Sequence, residues 1–139
     1  MEKEKIIDEI LFRIVKLNHE KMLKSMGEME IYPGQPKLLQ SLIKQDGISQ
    51  KELAKDIYIT PATVTIMLKK LEEEELIIRE TDEKDQRIVR IYLTETGKEQ
   101  AKKIQKIKNK IIEDILKGFT EEEIKVLKTL LLKIEQNLI

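Results

Sequence analysis

Cysteine is absent from the 139 residues. That absence removes disulfides, zinc ribbons, thiol nucleophiles and cysteine-based peroxide sensing together. A single histidine excludes a multi-His metal site within one chain. Tryptophan is missing and aromatics reach only 4%, too few for a stacking platform for single-stranded nucleic acid. Net charge is also lacking: 26 Lys and Arg balance 26 Asp and Glu, so any positive surface must be sorted locally. The longest purely apolar runs, such as Leu130 to Leu132, are far too short for a bilayer. The first residues carry Glu2, Glu4, Asp8 and Glu9 and no apolar signal-peptide core. A cytoplasmic protein with no membrane partner is expected. There is no glycine-rich phosphate loop and no G-x-S-x-G. No catalytic residue, metal site or cofactor is expected, and the chain does not read as an enzyme.

What is present is helical. Hydrophobic residues make up 40% and charged ones 37%, the mixture of a folded helical protein with many solvated faces. The chain is long enough for one core without covalent staples. Ile6, Ile7, Ile10, Leu11, Ile14 and Leu17 recur at helical spacing from about Lys5 to Met26. Tyr32-Pro33-Gly34 breaks that helix. A second runs from about Gln35 to Lys44, with Leu38, Leu39, Leu42 and Ile43 inward. After the Asp46-Gly47 turn, Ser49-Gln50-Lys51-Glu52 has the form of a capping box and opens a short helix carrying Leu53, Ala54 and Ile57. Thr60-Pro61, an N-cap followed by proline at the first helical position, opens the next. That helix reaches about Glu74, with Val64, Met67, Leu68 and Leu71 as one stripe. The period then changes. Leu76 to Arg79 and Arg87 to Leu93 read as strands around a charged loop from Thr81 to Gln86, hence a hairpin. Thr94 caps a long helix with Ile104, Ile107, Ile111 and Ile115 inward, ended by Gly118. Thr120 to Glu123 is a second capping box, opening a helix with Ile124, Leu127, Leu130, Leu131, Ile134 and Leu138.

Helix, tight turn, helix and hairpin in this order describe a winged helix-turn-helix. The first short helix props the second, which turns its polar face to the major groove while the hairpin reaches the neighbouring backbone. The face opposite the Val64, Leu68 and Leu71 stripe holds Ala62, Thr63, Thr65, Ile66, Lys69 and Lys70. Small, hydroxyl and lysine side chains suit close approach to base edges and phosphates. The fold class expected is mainly α with a small β-hairpin wing. Residues 1–30 form an N-terminal dimerisation helix, 31–96 the winged lobe, and 97–139 the C-terminal dimerisation helices. The long terminal stripes cannot all be buried on so small a lobe, which points to a dimer with a large apolar interface.

From Ser49 to Gly97 the sequence resembles the MarR/SlyA family of dimeric winged-helix transcription regulators. The matching pieces are Ser49 to Ala54, Thr63-Val64-Thr65, Leu71-Glu72, Leu76 to Arg79, Asp85-Gln86-Arg87 and Leu93-Thr94-Glu95-Thr96-Gly97. The flanking helices fit in order and length. The resemblance implies a recognition helix from Thr60 to Glu74 and a wing that carries Arg87 into a minor groove with Asp85 holding it. It also implies a homodimer on a pseudo-palindromic double-stranded operator. Members mostly act as repressors. A small phenolic or anionic effector, seated between the dimer helices and the lobe, alters lobe spacing. The candidate DNA-binding set is Ser49, Gln50, Thr60, Pro61, Ala62, Thr63, Thr65, Ile66, Lys69, Lys70, Lys84, Asp85 and Arg87. The candidate effector set is Arg13, Lys16, His19, Tyr32 and Tyr58; a surface or interface position for His19, and a core edge for the tyrosines, are the plainer readings.

Two departures matter. Members often carry Arg where Ile66 stands; an apolar residue there can meet a thymine methyl but makes no bidentate bond to guanine. They also favour Gly where Glu75 stands, and without it the left-handed helix end is expected to be lost. The lobe is not basic: from Lys44 to Arg90, nine basic residues face eleven acids. Two readings therefore stand at this point. One is a sequence-specific DNA-binding regulator. The other is a winged-helix protein-interaction module that meets a protein through Ile66 and the acidic run Glu72 to Glu75.

Overall fold

The element order is α1 (Glu2–Met26), α2 (Gln35–Lys44), α3 (Gln50–Asp56), α4 (Pro61–Glu73), β1 (Ile77–Thr81), β2 (Val89–Leu93), α5 (Glu95–Ile115) and α6 (Glu121–Leu138). It comes from a computed structural model that describes residues 1–27 and 34–139. The fold is the mainly helical one expected, with a two-stranded antiparallel hairpin and long terminal helices.

Capping sets the boundaries. Thr60, Thr94 and Thr120 each accept a hydrogen bond from the amide three residues on, through Thr63, Gly97 and Glu123. Each thereby satisfies one of the amides that a helix start leaves open. At Thr120 the capping box is complete, with Glu123 Oε1 accepting from the Thr120 amide at 3.0 Å. At Ser49 only half of the expected box forms: Ser49 Oγ accepts from the Glu52 amide at 3.2 Å. Ser49 lies opposite Arg90 of β2.

The hairpin pairs Ile77 with Leu93 and Thr81 with Val89. Both strands start later than expected, so the connecting loop spans 82–88 and Arg87 sits in the loop rather than in a strand. Residues 47–49 lie along the other edge of β2. The Gly47 amide donates to the Ile91 carbonyl at 2.8 Å, and the Ile91 amide to the Ile48 carbonyl at 3.0 Å. Gly47 has φ +83°, and a Cβ there would come within 3.0 Å of the Tyr92 ring, so both backbone and packing demand glycine.

One core unites the lobe. Leu38, Leu39 and Leu42 of α2, Leu53 of α3, and Val64, Leu68 and Leu71 of α4 are fully buried with Ile77 and Ile91 of the hairpin. Met26, Ala101 and Ile104 join it from the long helices. Ile43 faces out instead of in, because α2 buries only one side. At Gly97 an added Cβ would lie 1.9 Å from the Leu76 carbonyl oxygen, so α5 sits almost on the backbone that leaves α4.

The terminal helices are different. In α1 only Met26 is buried, while Ile6, Ile7, Ile10, Phe12, Ile14, Val15 and Leu17 are exposed. In α6 no residue is buried, and Leu130, Leu131 and Leu138 are exposed. Ile115 of α5, expected inward, is exposed too. Within the chain α1 packs on α5, tied by a 2.9 Å ion pair between Lys21 and Asp114.

Candidate nucleic-acid interface

The helix-turn-helix is built by burial on one side of α4. Val64, Met67, Leu68 and Leu71 face the core. Leu53, Ala54 and Ile57 of the prop helix meet them there. The opposite side is left to solvent, and Ala62, Thr63, Thr65, Ile66, Lys69 and Lys70 are all exposed on it. Ile66, a large apolar side chain, is 60% exposed.

Hydroxyls order the start of this face. Thr60 Oγ1 accepts from the Thr63 amide at 3.3 Å and donates to Thr63 Oγ1 at 2.9 Å. Thr65 Oγ1 donates to the Pro61 carbonyl at 3.0 Å and accepts from Gln50 Nε2 at 2.8 Å. Gln50, the first residue of the prop helix, thus reaches across to the recognition helix. Pro61 holds the first helical position, where its missing amide proton costs nothing.

Both helices of the motif end the same way. The Ile59 amide donates to the Ala54 carbonyl at 3.3 Å and the Tyr58 amide to the Lys55 carbonyl at 3.4 Å. The Leu76 amide donates to the Leu71 carbonyl at 2.9 Å and the Glu75 amide to the Glu72 carbonyl at 3.0 Å. These are two Schellman ends. The left-handed residue is Tyr58 in one, with φ +55°, and Glu75 in the other, with φ +59°. The left-handed end of α4 is therefore kept without glycine, contrary to expectation. Leu71 and Leu76, both buried, meet the hydrophobic requirement of the motif, and that burial outweighs the local strain.

The wing carries two carboxylate–arginine pairs. Asp82 Oδ2 accepts the amides of Lys84 and Asp85 at 3.1 and 3.0 Å, which folds the loop. Asp82 Oδ1 accepts from Arg90 Nε at 2.7 Å. Asp85 grips Arg87 with both oxygens, from Nε at 3.0 Å and Nη2 at 3.1 Å, and also accepts the Arg87 amide. The Arg87 side chain is 90% exposed, aligned yet open to a ligand. These arginines hold the Asp82 and Asp85 carboxyls below the usual carboxylate range. Lys84 is exposed in the same loop.

A cleft of about 690 Å³ joins the parts. Ser49, Gln50 and Lys51 line one wall, Pro61 the start of α4, and Arg87 and Val89 the wing. Ser49, Gln50, Pro61 and Arg87 of the expected DNA set are thus brought to one surface. Lys51 and Lys55, absent from that set, stand in the same cleft. Their spacing of four on a short helix was the available signal, since it puts both on the face turned from the core.

The expected effector residues are not gathered in this way. Arg13, Lys16 and His19 are exposed on α1. Tyr58 is 82% exposed and borders a shallow cleft with Gln45, Glu52 and Asp56, to which no α1 residue contributes. Tyr32 lies outside the described residues. Among the described residues no cluster of His, Asp or Glu could hold a metal ion, and no helix is long and apolar enough to cross a membrane.

Comparison with known proteins agrees with this architecture. A sequence profile of the MarR family matches residues 31–89. The chain is 32% identical over 102 residues to the HTH-type transcriptional repressor MdtR of Bacillus subtilis, covering 73% of this chain and 66% of that protein. It is 30% identical over 130 residues to the HTH-type transcriptional regulator YdgJ of the same organism, covering 94% of this chain and 79% of the relative. Among solved structures, the MepR–DNA complex of S. aureus superimposes with a TM-score of 0.82 at 30% identity, over 94% of this chain and 96% of that one.

Proposed function

The chain belongs to the MarR family of winged helix-turn-helix transcriptional regulators, and from that premise we propose that it works as a homodimeric repressor, held on a pseudo-palindromic operator and released by a small phenolic or anionic effector. The observation that carries this reading is the outward face of α4, locked to the prop helix and flanked by Arg87 on a braced wing. MdtR is a repressor, and MepR has been seen bound to DNA; both support the reading.

Each subunit lays α4 in a major groove, with half-sites about one helical turn apart. Thr60, Thr63 and Lys69 supply phosphate or base-edge contacts, and Thr65 and Ile66 face bases. Lys70, Lys84 and Arg87 take the backbone and minor groove, with Asp85 aligning Arg87. Ser49, Gln50, Pro61 and Ala62 allow close approach at the mouth of the cleft. Residues 31–96 act as the DNA-binding lobe, while 1–30 and 97–139 form the dimer interface. The effector favours a second lobe spacing by binding it more tightly; its candidate contacts are Arg13, Lys16, His19, Tyr32 and Tyr58, of which Arg13, Lys16 and His19 share no cleft with Tyr58 within one chain.

The test is fluorescence anisotropy with duplexes enriched by the full-length protein from a random-sequence library, at two salt concentrations. Specific binding that weakens steeply with salt is expected. Lys69→Ala and Arg87→Ala should each weaken it, and loss of Lys69 should reduce the salt slope by about one. Failure to enrich any sequence, with binding no tighter than to random DNA, overturns the reading. Release by phenolic carboxylates tests the effector separately: unchanged affinity across such compounds makes the protein a constitutive binder.

A further inference from the structure

Thr65 is exposed, yet its hydroxyl is engaged within the protein. Its one proton goes to the Pro61 carbonyl, and Gln50 Nε2 donates to the oxygen at 2.8 Å. A threonine hydroxyl has a single donor, so none is left for a base. What Thr65 still offers is its γ-methyl, beside one remaining acceptor lone pair. Thr65 and Ile66 follow Ala62 by three and four residues, so both adjoin Ala62 on one helix face. All are exposed, Ile66 by 60%. They lie in the first turns of α4, the part of a recognition helix that reaches base edges.

The first turns of this face lack the usual hydrogen-bonding readers. From Pro61 to Glu73 there is no Arg, Asn or Gln, and of the side chains that make bidentate bonds to guanine or adenine only lysine is present. The cations of α4, Lys69 and Lys70, come after this patch, where they suit phosphates. Of the features a base pair shows in the major groove, an apolar side chain distinguishes one well, the C5-methyl of thymine.

We propose that α4 reads each half-site chiefly through thymine 5-methyl groups, packed against Ala62, Thr65 and Ile66, with Gln50 as the positioning residue that keeps the Thr65 hydroxyl turned inward. The inference rests on the DNA-binding reading above and specifies its chemistry. Specificity then comes from burying methyl groups, not from hydrogen bonds to guanine. The sites selected are rich in thymine at the positions under the first turns of α4.

The probe is deoxyuridine, which pairs as thymine does and lacks only the methyl. Duplexes enriched from a random library are remade with dU for dT in the half-sites. Affinity should fall about fourfold for each contacted methyl, the worth of one buried CH2 group. Thr65→Ser keeps both hydrogen bonds and removes only the methyl, so it should shrink the dT-to-dU ratio; Ile66→Ala should do the same. Ile66 and Thr65 are exposed, so both variants should fold. Equal affinity for dT and dU duplexes overturns the inference while leaving specific DNA binding intact. If no duplex is enriched at all, DNA binding itself fails and the inference falls with it.

Discussion

Arg90 and Asp82 stand 2.7 Å apart, Nε to Oδ1, at the base of the wing loop, and the same guanidinium donates through Nη1 to the Gly47 carbonyl at 3.0 Å. One side chain thus ties the wing loop to the segment that leads into the prop helix. The Leu93 amide, donating to Asp46 Oδ1 at 3.0 Å, adds a second tie to the same segment. The wing is held against the helix-turn-helix by directed bonds as well as by the core.

Arg90→Ala should therefore weaken DNA binding without any contact of its own to DNA. The pair is partly exposed, so its loss should cost little stability. Arg87 would no longer be placed relative to α4, and affinity should drop about five- to tenfold, about 1 to 1.4 kcal/mol. Arg90→Lys keeps the charge but not the fork, and should stay close to the alanine variant. Anisotropy and urea denaturation on the same preparations separate the two effects. Undiminished affinity in both variants would show that the wing is positioned by packing alone.

Tyr58 and Glu75 hold left-handed conformations that side chains with a Cβ pay for in strain. Replacing either with glycine should relieve that strain, less the added entropy of the unfolded chain. The net gain should be about 0.5 to 1 kcal/mol for each, or about 2–4 °C in the midpoint at matched protein concentration. Asn should fall between. Tyr58 is 82% exposed, so its removal leaves no cavity and is the cleaner case. Thermal unfolding that shifts downward in both glycine variants would mean that side-chain contacts, not backbone strain, dominate at these ends.

Much of this was legible because the signals are local. Thr60-Pro61 and Thr120-Glu123 mark helix starts by chemistry that needs no tertiary context, and both formed as read. The stripe from Val64 to Leu71 has one period and one buried face. Long-range competition defeated the rest. The Ser49 box stayed half made, with Ser49 Oγ accepting from the Glu52 amide and no return bond from the Glu52 side chain. Glu75 kept its left-handed turn because Leu76 had to be buried. Charge counting could not decide between the two readings. Glu72, Asp82 and Asp85 are each paired with an arginine, Arg79, Arg90 or Arg87, which leaves the excess of acids over bases as it was. A sum along the chain cannot see which face each charge occupies, and so it gave weight to a protein partner. Lys51 and Lys55 were counted among the bases of the lobe but left out of the candidate site, because a short helix between caps reads as a prop before it reads as a wall of a cleft.

The same pairs set an acid limit. Arg90 holds the Asp82 carboxyl low, helped by the Asp85 amide; Arg87 does so for Asp85, Arg79 for Glu72 and Lys21 for Asp114. In each case the folded pKa lies below the unfolded one, about 3.9 for Asp and 4.3 for Glu. The folded state therefore gains from these groups above the unfolded values and loses that gain as pH falls through the folded ones. The melting temperature should be level from about pH 8 to 5 and decline below about pH 4. Asp82→Asn should be less stable at neutral pH and show a shallower acid decline. A variant with the same acid slope as the parent would remove the Asp82–Arg90 pair from the account.

The terminal helices lead to a test of the proposed dimer. α6 buries nothing within its own chain, though Ile124, Leu127, Leu130, Leu131 and Ile134 recur along it at helical spacing. α1 exposes Ile10 and Ile14 in the same way. Apolar surface on this scale seeks a partner, and an obligate interface of such helices buries about 2,000 Å² or more. Leu130→Glu would bring a charge to the centre of that interface, and Ile10→Glu would do so on α1. Each should convert a dimer into a monomer on sedimentation at micromolar concentration. The lobe core is built mostly from α2 to β2, with Met26, Ala101 and Ile104 from the long helices, and neither Leu130 nor Ile10 belongs to it, so far-ultraviolet circular dichroism should keep most of its helical signal. DNA affinity should fall by at least about a hundredfold, because each half-site would then bind without the effective concentration that the second provides. A parent protein that sediments as a monomer at the same concentration would instead mean that these helices fold back on their own chain, and operator recognition would rest on one half-site.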